Sequence, residues 1–224
     1  MRSTIGDIVE QEAQLMGLSL SAGEIDLFER YAAELKKWNS KVNLTAITKD
    51  KEIAVKHFID SLTLAPYITA CDRLLDIGSG AGLPVIPLKI IRPETAMVSV
   101  DAVAKKIHFQ RHVIRTLNLQ HIEAIHSRIE ELHKTHRGSF SIITSRAFTR
   151  LERFISLAAP LLAENGVLIA MKEYGAEGEY ATGDEFEISG GFSVISVHRY
   201  SLPFGMGERA LTFLKQSKAP CNKG

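Results

Sequence analysis

Hydrophobic residues recur with helical spacing through the first part of the chain. From Thr4 to Leu18 apolar residues are separated by acids, a pattern that predicts a short amphipathic helix. The capping box Ser21-Ala22-Gly23-Glu24 predicts the start of a second helix, which runs to about Ser40. A third helix is predicted over Lys51 to Ile68, and no strand pattern precedes it. We therefore expect residues 1–70 to form a helical extension packed on the rest of the chain.

Short apolar runs alternate with amphipathic segments from Arg73 onward. The runs predict strands at Leu74–Ile77, Ala96–Val100, Ile122–Ile125, Phe140–Thr144 and Gly166–Met171. The segments between them predict helices at Gly82–Ile91, Lys105–Leu117, Ile129–Leu132 and Leu151–Leu162. A final strand pair is predicted at Phe192–Tyr200 and Ala210–Leu214, after a loop or exposed insertion over Glu173–Gly191.

This alternation is typical of an α/β fold with a doubly wound, mostly parallel sheet. The closing strand pair is expected to add an antiparallel strand at the C-terminal side. We expect the core to span residues 71–215, with a frayed tail that begins near Lys215 and includes residues 216–224. At 224 residues the chain is long enough for one such domain with a full hydrophobic core.

The composition is that of an ordinary globular protein, with 45% hydrophobic and 24% charged residues. No stretch is long and apolar enough to predict a membrane span. Acids stand near the N-terminus where a secretory signal would need an apolar core, so we expect a cytoplasmic protein. The two cysteines, Cys71 and Cys221, lack metal-ligand spacing, and we expect neither a disulfide framework nor a metal site.

The net charge of +1 conceals an uneven distribution of charged residues. Basic residues are concentrated between Arg30 and Lys56 and again between Lys89 and Arg115, whereas Glu173 to Glu187 is acidic. One electropositive face can therefore coexist with a nearly neutral total, although solvated helix faces explain each cluster equally well. Three lysines near the end of the second helix are candidate phosphate contacts: Lys36, Lys37 and Lys41.

A glycine-rich loop follows the first predicted strand, and a helix follows the loop. Strand, tight turn and helix N-terminus together place backbone close to a ligand. The glycines Gly78, Gly80 and Gly82 have G-x-G-x-G spacing, and Leu83 stands where a dinucleotide fingerprint has its third glycine. Asp76 precedes them, and its charge repels a pyrophosphate but suits an ammonium or sulfonium, which favours S-adenosyl-L-methionine. A structural role for Asp76 in the turn is compatible with this.

Other candidate ligands follow neighbouring strands. Asp101 ends the second strand, where a carboxylate can accept both ribose hydroxyls of a nucleoside cofactor; a solvated acid at a strand end is the alternative. His57 lies one helical turn before Ser61, with Asp60 between them. We consider two roles for this histidine: contact with a ligand or RNA, and packing of the helical extension against the sheet.

The chain resembles the small-subunit ribosomal RNA methyltransferase G family, also called glucose-inhibited division protein B, over nearly its full length. The loop Asp-Ile-Gly-Ser-Gly-Ala-Gly-Leu-Pro, which begins at Asp76, is similar to the cofactor loop of class I methyltransferases. The further matching stretches are Lys37-Trp38-Asn39, Asn43-Leu44-Thr45, His57-x-x-Asp60-Ser61, Ser127-Arg128-x-Glu130-Glu131, Ser145-Arg146-Ala147-Phe148 and Gly207-Glu208-Arg209. The chain departs from the family's usual residues at Ala102, Lys106, Glu173 and Ala210.

The resemblance implies methylation of guanine N7 in the decoding-region loop of 16S ribosomal RNA, with S-adenosyl-L-methionine as donor. The substrate would be 16S rRNA, the 30S ribosomal subunit or its precursor, and we expect no membrane partner and a monomeric enzyme. The cofactor contacts that it implies fall on Gly78, Leu83, Ile129, Glu130 and Arg146, beside Asp76, Gly80 and Asp101. Lys172 and Arg209 join His57 and Arg146 as RNA-facing candidates.

Guanine N7 has an in-plane lone pair and no hydrogen, so the reaction needs alignment and exclusion of water rather than a general base. Arg146 is the residue expected to contact both substrates, in a positioning role; a structural ion pair with an acid such as Glu130 is the alternative. Two other functions compete with methyl transfer. One is a nicotinamide-dependent oxidoreductase, which the glycine spacing and Asp76 disfavour, and the other is a non-catalytic RNA-binding or assembly factor.

Overall fold

A computed structural model describes residues 3–146, 148, 150–173 and 187–217. The first two helices are α1, Ile5–Leu15, and α2, Ala22–Val42. The capping box predicted at Ser21 is confirmed, since the Glu24 backbone N–H donates to Ser21 Oγ at 3.3 Å and the Glu24 carboxylate accepts from the Ser21 N–H at 2.7 Å. Asn43 ends α2 in the left-handed conformation, with φ of 48°.

The third helix, α3, is shorter and less regular than predicted. It comprises Asp50–Glu52, a π-helical stretch Ile53–Ile59 and Asp60–Leu62. The predicted extension to Ile68 is wrong: a 3₁₀ turn at Ala65–Tyr67 follows instead. The second residue of this turn is Pro66, which has no N–H to donate and disfavours helical backbone in the residue before it.

The described residues contain an eight-stranded sheet with the order β3-β2-β1-β4-β5-β8-β7-β6. The strands are β1 Arg73–Ile77, β2 Ala96–Asp101, β3 Ile122–His126, β4 Phe140–Ser145, β5 Leu162–Glu173, β6 Glu187–Ser189, β7 Phe192–Ser201 and β8 Glu208–Gln216. Strands β1 to β5 pair in parallel, whereas β8, β7 and β6 add in antiparallel pairs. The predicted α/β class and the mostly parallel, doubly wound sheet are therefore confirmed.

Four helices connect the parallel strands: α4 Val85–Ile91, α5 Ala104–Thr116, α6 Ile129–Leu132 and α7 Leu151–Ala158. The predicted start of α4 at Gly82 is three residues early, because Gly82 has φ of 88° and cannot be part of a right-handed helix. The predicted end of α7 at Leu162 is also wrong. A 3₁₀ turn at Ala159–Leu161 ends the helix around Pro160.

The C-terminal strands are longer than the sequence predicted. Strand β5 extends four residues before the predicted start at Gly166, and β8 continues to Gln216, where a frayed tail was expected. The segment predicted as a loop over Glu173–Gly191 contains β6, while residues 174–186 of it lie outside the described residues, as do residues 218–224. The added residues of these strands include Glu164, Asn165 and Gln216, which are polar and give little hydrophobic alternation, so the strand limits are poorly marked in the sequence.

The sheet separates two hydrophobic layers. One layer packs α1 to α5 on side chains such as Leu74 and Ile142, and the other packs α6 and α7 on the alternate residues Leu75 and Ile143. In the first layer the ring of Phe58 lies 5.2 Å from the ring of Tyr31, so the N-terminal helices share a core with the sheet. No described helix is both long and apolar enough to cross a membrane.

Candidate cofactor and substrate site

The glycine loop lies at the carboxyl end of β1, at the point where the strand order reverses. The Gly78 N–H donates to the backbone oxygen of Val100 at 2.8 Å, which fixes the loop beside the end of β2. Gly80 has φ of 59°, and a Cβ built on it comes no closer than 4.0 Å to another atom outside its chain neighbours. A side chain at Gly80 would therefore occupy the open space over the loop, where a ligand can approach the backbone.

Two buried side chains fix the glycine loop by donating hydrogen bonds to its backbone oxygens. Tyr31 of α2 donates its hydroxyl to the backbone oxygen of Ala81 at 2.6 Å, and Gln110 of α5 donates Nε2 to that of Gly80 at 2.9 Å. The Ser99 hydroxyl in turn donates to Gln110 Oε1. Neither support was predicted from the sequence, because Tyr31 and Gln110 lie far from the loop along the chain.

Asp101 lies beside the loop, as the parallel order of β1 and β2 requires. Its Oδ2 accepts from the Gly80 N–H at 3.0 Å and its Oδ1 accepts from the Val103 N–H at 2.8 Å. Lys106, one of the positions where the chain departs from the family pattern, has its Nζ 3.6 Å from Asp101 Oδ2. A positive charge therefore lies near the acid. A carboxylate has lone pairs beyond these contacts, and its role as a ribose ligand stays a prediction.

Asp76 is a buried acid on β1 directly before the loop. Neither carboxylate oxygen has a hydrogen-bond partner among the described residues. Burial raises the pKa of Asp76 from an ordinary value of 3.8 to about 8, although the nearby Ser79 side chain and the positive charge of Arg146 act in the opposite direction. An unpartnered buried carboxylate is costly, and this cost is expected to fall when a cationic ligand binds.

We predict that Asp76→Asn stabilises the ligand-free protein and weakens its cofactor binding. The raised pKa means that wild-type stability falls as the pH rises from about 4 to about 8, because the unfolded acid ionises and the folded acid does not. The variant should gain about 5 kcal/mol at pH 8, or roughly 10–20 °C in Tm, and almost nothing near pH 4. Thermal unfolding at both pH values measures this; a gain independent of pH would contradict it.

Two small pockets meet at the glycine loop. The α3 pocket, of about 180 Å³, is lined by Leu44, Thr45, His57, Leu83, Arg146 and the loop from Gly78 to Ala81. The α6 pocket, of about 200 Å³, is lined by residues that include Ile77, Gly78, Val100, Ala102, Ile129 and Glu130. Gly78 lines both pockets, so one extended ligand can occupy the two while it crosses the loop. The predicted contacts Leu83 and Ile129 fall in different pockets.

Arg146, which directly follows β4, joins the sheet to the helical extension. Its Nη2 donates to the backbone oxygen of Lys56 at 3.0 Å and lies 2.8 Å from Asp60 Oδ2. Its Nη1 is buried and has no hydrogen-bond partner among the described residues. The guanidinium is thus fixed through Nη2, whereas Nη1 can donate to a ligand in the α3 pocket.

Glu130 is not the partner of Arg146. Its carboxylate lies 3.7 Å from Arg153 Nη2, and both side chains are largely exposed. The alternative expectation was an ion pair of Arg146 with an acid such as Glu130. Arg146 does form an ion pair, but its partner is Asp60. The reason is topological, since α6 and α3 pack on opposite layers of the sheet. Glu130 lines the α6 pocket, where the resemblance placed a cofactor contact.

Asp60 was noted in the sequence beside His57 and Ser61, but its contacts with the site were not predicted. It is almost fully buried, and besides Arg146 it accepts a hydrogen bond from the Tyr200 hydroxyl at 2.8 Å. Arg209 Nε lies 4.0 Å from Asp60 Oδ1, and its Nη2 lies 3.1 Å from Glu173 Oε1. Glu173, where the chain departs from the family pattern, therefore forms an ion pair with Arg209, one of the RNA-facing candidates. The sequence showed Asp60 as part of the stretch His57-x-x-Asp60-Ser61 and gave it no role of its own.

His57 lines the α3 pocket in a neutral state. Its Nε2 lies 3.1 Å from Thr45 Oγ1, whereas its Nδ1 is buried without a hydrogen-bond partner among the described residues. Burial, with a smaller contribution from the charge of Arg146, lowers the pKa of His57 to about 4. Asn39 fixes the opposite wall, because its Oδ1 accepts from the Leu44 N–H at 2.6 Å and the Thr45 N–H at 2.9 Å.

The predicted phosphate-binding lysines of α2 lie outside both pockets. Lys36 pairs with Asp50 at 2.9 Å, Lys37 lies 3.5 Å from Glu34, and Lys41 is exposed near the end of the helix. Lys172 lies on β5 opposite Ala210 of β8, next to Glu173. The structure therefore brings His57, Arg146 and Arg209 together but leaves the three α2 lysines apart from them.

A family model described as rRNA small subunit methyltransferase G matches residues 24–210 of the chain. A protein of Geotalea uraniireducens named ribosomal RNA small subunit methyltransferase G is 45% identical over 218 residues, which cover 96% of this chain and 99% of that protein. A Geobacter sulfurreducens protein of the same name is 47% identical over 206 residues, with 91% and 94% coverage. The matched range spans the residues of the glycine loop, of both pockets and of the Asp60 contacts.

Solved structures resemble the chain in fold. A SAM-dependent methyltransferase from Aquifex aeolicus superposes with a TM-score of 0.55, covering 82% of this chain and 97% of that chain at 13% identity. A Pyrococcus horikoshii TYW2 structure in complex with MeSAdo gives a TM-score of 0.54 at 12% identity, over 73% of this chain and 63% of that chain. At this level of identity the likeness concerns the architecture alone.

Proposed function

The chain belongs to the ribosomal RNA small subunit methyltransferase G family, and on this premise we propose that it methylates guanine N7 in 16S ribosomal RNA with S-adenosyl-L-methionine. The target is a guanine in the decoding-region loop, presented by 16S rRNA, the 30S subunit or its precursor. The enzyme acts as a monomer in the cytoplasm. The observation that supports the site assignment best is the meeting of two pockets at Gly78, between the unpartnered groups of Asp76 and Arg146.

The residues present fit this cofactor. Asp76 offers a buried carboxylate without a partner, which suits the ammonium or sulfonium of the methionyl part. The free Nη1 of Arg146 suits its carboxylate, and Asp101 suits the ribose hydroxyls. The largely apolar α6 pocket around Ile129 suits a planar base. When bound, the cofactor supplies an electrophilic methyl group.

The side chains around the α3 pocket are suited to a reaction that creates positive charge on guanine. His57 is neutral at pH 7, because its pKa is lowered to about 4, and it adds no opposing charge. The positive charge of Arg146 is balanced by Asp60 at 2.8 Å. No proton has to leave N7, so these residues orient the base and exclude water rather than act as a general base.

Arg209, Lys172 and the three α2 lysines supply the RNA-facing charge in this proposal. Arg209 is anchored by Asp60 and Glu173, which supports a fixed orientation at the edge of the site. Lys36, Lys37 and Lys41 are exposed and lie outside the pockets, which supports contacts with phosphates remote from the target base. Such contacts make RNA affinity depend steeply on salt concentration.

Mapping the methylated base tests the proposed function. We expect purified enzyme and S-adenosyl-L-methionine to form N7-methylguanine in 30S subunits or 16S rRNA taken from cells that lack the gene. The same modification should be absent from those cells and return when the gene is restored. An unchanged N7-methylguanine signal on deletion would support the non-catalytic RNA-binding alternative. Tight NADH binding without a response to the sulfonium cofactor would support an oxidoreductase.

A further inference from the structure

A second concave surface lies next to the site just described. It is a groove of about 990 Å³ between α1, α2, the start of α3 and the turn that joins β7 to β8. Its lining includes Ile8, Lys36, Lys49, Lys51 and Phe204, none of which contributes to either cofactor pocket. The groove therefore needs an occupant other than the cofactor.

An exposed aromatic ring closes one end of this groove. Phe204, in the β7–β8 turn, leaves 53% of its surface exposed although it is a large apolar residue. Its backbone has φ of 60°, a left-handed conformation that bulky residues adopt only rarely. Lys51 Nζ lies 3.5 Å from the centre of the ring. The turn thus presents an aromatic surface with a cation on it, and neither hydrophobic layer of the described residues includes Phe204.

The charge balance of the groove favours an anionic occupant. Two acids line it, but Glu29 accepts the Gly6 N–H at 3.2 Å and Asp50 is paired with Lys36 at 2.9 Å. The Lys49 ammonium has no polar partner among the described residues, and the Lys51 ammonium contacts the ring of Phe204. Two ammonium groups thus remain for phosphates beside an aromatic surface.

The groove and the catalytic pockets share one edge of the sheet. Strand β7 runs in the same direction as β5, so the β7–β8 turn lies at the edge where β1 and β4 end in the glycine loop and Arg146. Helix α3 connects the two regions directly, since Lys51 stands near its start and His57 lies in the α3 pocket. Six residues of helix separate them by about 9 Å. The groove is therefore within reach of a strand of RNA bound at the α3 pocket.

We propose that the groove binds the single-stranded RNA segment next to the target guanine, with Phe204 stacking on a base and Lys49 and Lys51 contacting phosphates. The inference rests on the proposed function and adds a substrate-positioning surface to it. Stacking on an aromatic ring tolerates any base, and lysines contact the backbone without reading sequence. The groove therefore holds the RNA strand without selecting its sequence, and the α3 pocket selects the target base.

Phe204→Ala tests the stacking contact, with Ile195→Ala as a matched control because Ile195 on β7 is also 53% exposed. We expect Phe204→Ala to weaken binding of a fluorescein-labelled RNA copied from the decoding-region loop about 10-fold and to raise KM for undermodified 30S subunits similarly. Its Kd for S-adenosyl-L-methionine and its Tm should match those of Ile195→Ala. Phe204→Trp should retain wild-type affinity, because it keeps the stacking surface.

Lys49→Ala/Lys51→Ala tests the phosphate contacts through salt dependence. The slope of log K against log salt concentration should fall by about 1.4, or about 0.7 for each phosphate of single-stranded RNA that a lysine no longer neutralises. Lys134→Ala, an exposed lysine on another face, should leave the slope unchanged. Equal RNA affinity of Phe204→Ala, Ile195→Ala and wild type would overturn the inference while wild-type methylation still upheld the proposed function. A wild type that does not methylate any of the substrates would overturn the function itself.

Discussion

Asp101→Ala is expected to weaken S-adenosyl-L-methionine binding about 100-fold or more while RNA affinity changes less than about threefold. Two effects of the substitution add. The carboxylate accepts from the Gly80 and Val103 N–H groups, so its loss releases the glycine loop from the end of β2. The ribose also loses a charged acceptor, and each hydrogen bond to a charged group contributes about 1.5–3 kcal/mol. The RNA-facing residues are on other elements and keep their contacts.

Calorimetry with the cofactor and fluorescence anisotropy with RNA measure the two affinities separately. Asp101→Asn should lose less cofactor affinity than Asp101→Ala, because an amide oxygen can still accept one of the hydrogen bonds. Asp26→Ala removes an exposed acid on α2 and should change neither affinity. Equal losses of cofactor and RNA binding in Asp101→Ala would argue against a place for this acid in the nucleoside site.

The features of the site that the sequence predicted are those that follow from the order of strands and helices along the chain. The glycine loop, the strand before it and Asp101 after the next strand follow from the βαβ alternation, because parallel strands end at the same edge. Placement of Ile129 and Arg146 followed in the same way, since Arg146 comes directly after β4 and Ile129 begins the helix that follows β3. These features needed only the order of elements along the chain.

The part that escaped prediction depends on contacts distant in sequence. The partner of Arg146 is Asp60, about ninety residues earlier on α3, and nothing in the alternation of strands and helices indicates that α3 reaches the end of β4. The π-helical stretch Ile53–Ile59 places His57 and the Lys56 carbonyl at this contact. Propensity does not indicate such a stretch, and tertiary contacts determine it. The role of Tyr200 likewise required the register of β7.

The buried groups without partners are concentrated at one place. Among the described residues they are Asp76 Oδ1 and Oδ2, His57 Nδ1 and Arg146 Nη1. A protein selected for stability alone would satisfy or remove such groups, because each costs about 1–3 kcal/mol when left unpaired. Under the proposed function, binding of the substrates at the glycine loop supplies the missing interactions. The stability lost in the free enzyme is therefore linked to affinity.

Arg146→Ala is expected to reduce methyl transfer about 100-fold or more and to destabilise the protein by about 3 kcal/mol. The activity falls because the variant lacks the guanidinium that, in the proposed function, orients both substrates at the α3 pocket. The stability falls because Asp60, with a side chain only 2% exposed, keeps its charge without its closest cation. Asp60→Ala should destabilise by a similar amount, since it leaves the Arg146 charge unpaired. Its methyl transfer should also fall, because Arg146 loses the partner that fixes its orientation.

A double-mutant cycle separates this pair from an ordinary surface ion pair. Asp60→Ala/Arg146→Ala should cost less than the sum of the single variants by about 2 kcal/mol, because no buried charge is left unpaired. The Arg153–Glu130 pair, at 3.7 Å with side chains 64% and 50% exposed, is the control and should show a coupling below about 1 kcal/mol. Urea unfolding without cofactor gives both cycles. A coupling at Arg146–Asp60 as small as in the control would mean that the contact neither holds α3 on the sheet nor orients Arg146 for the reaction.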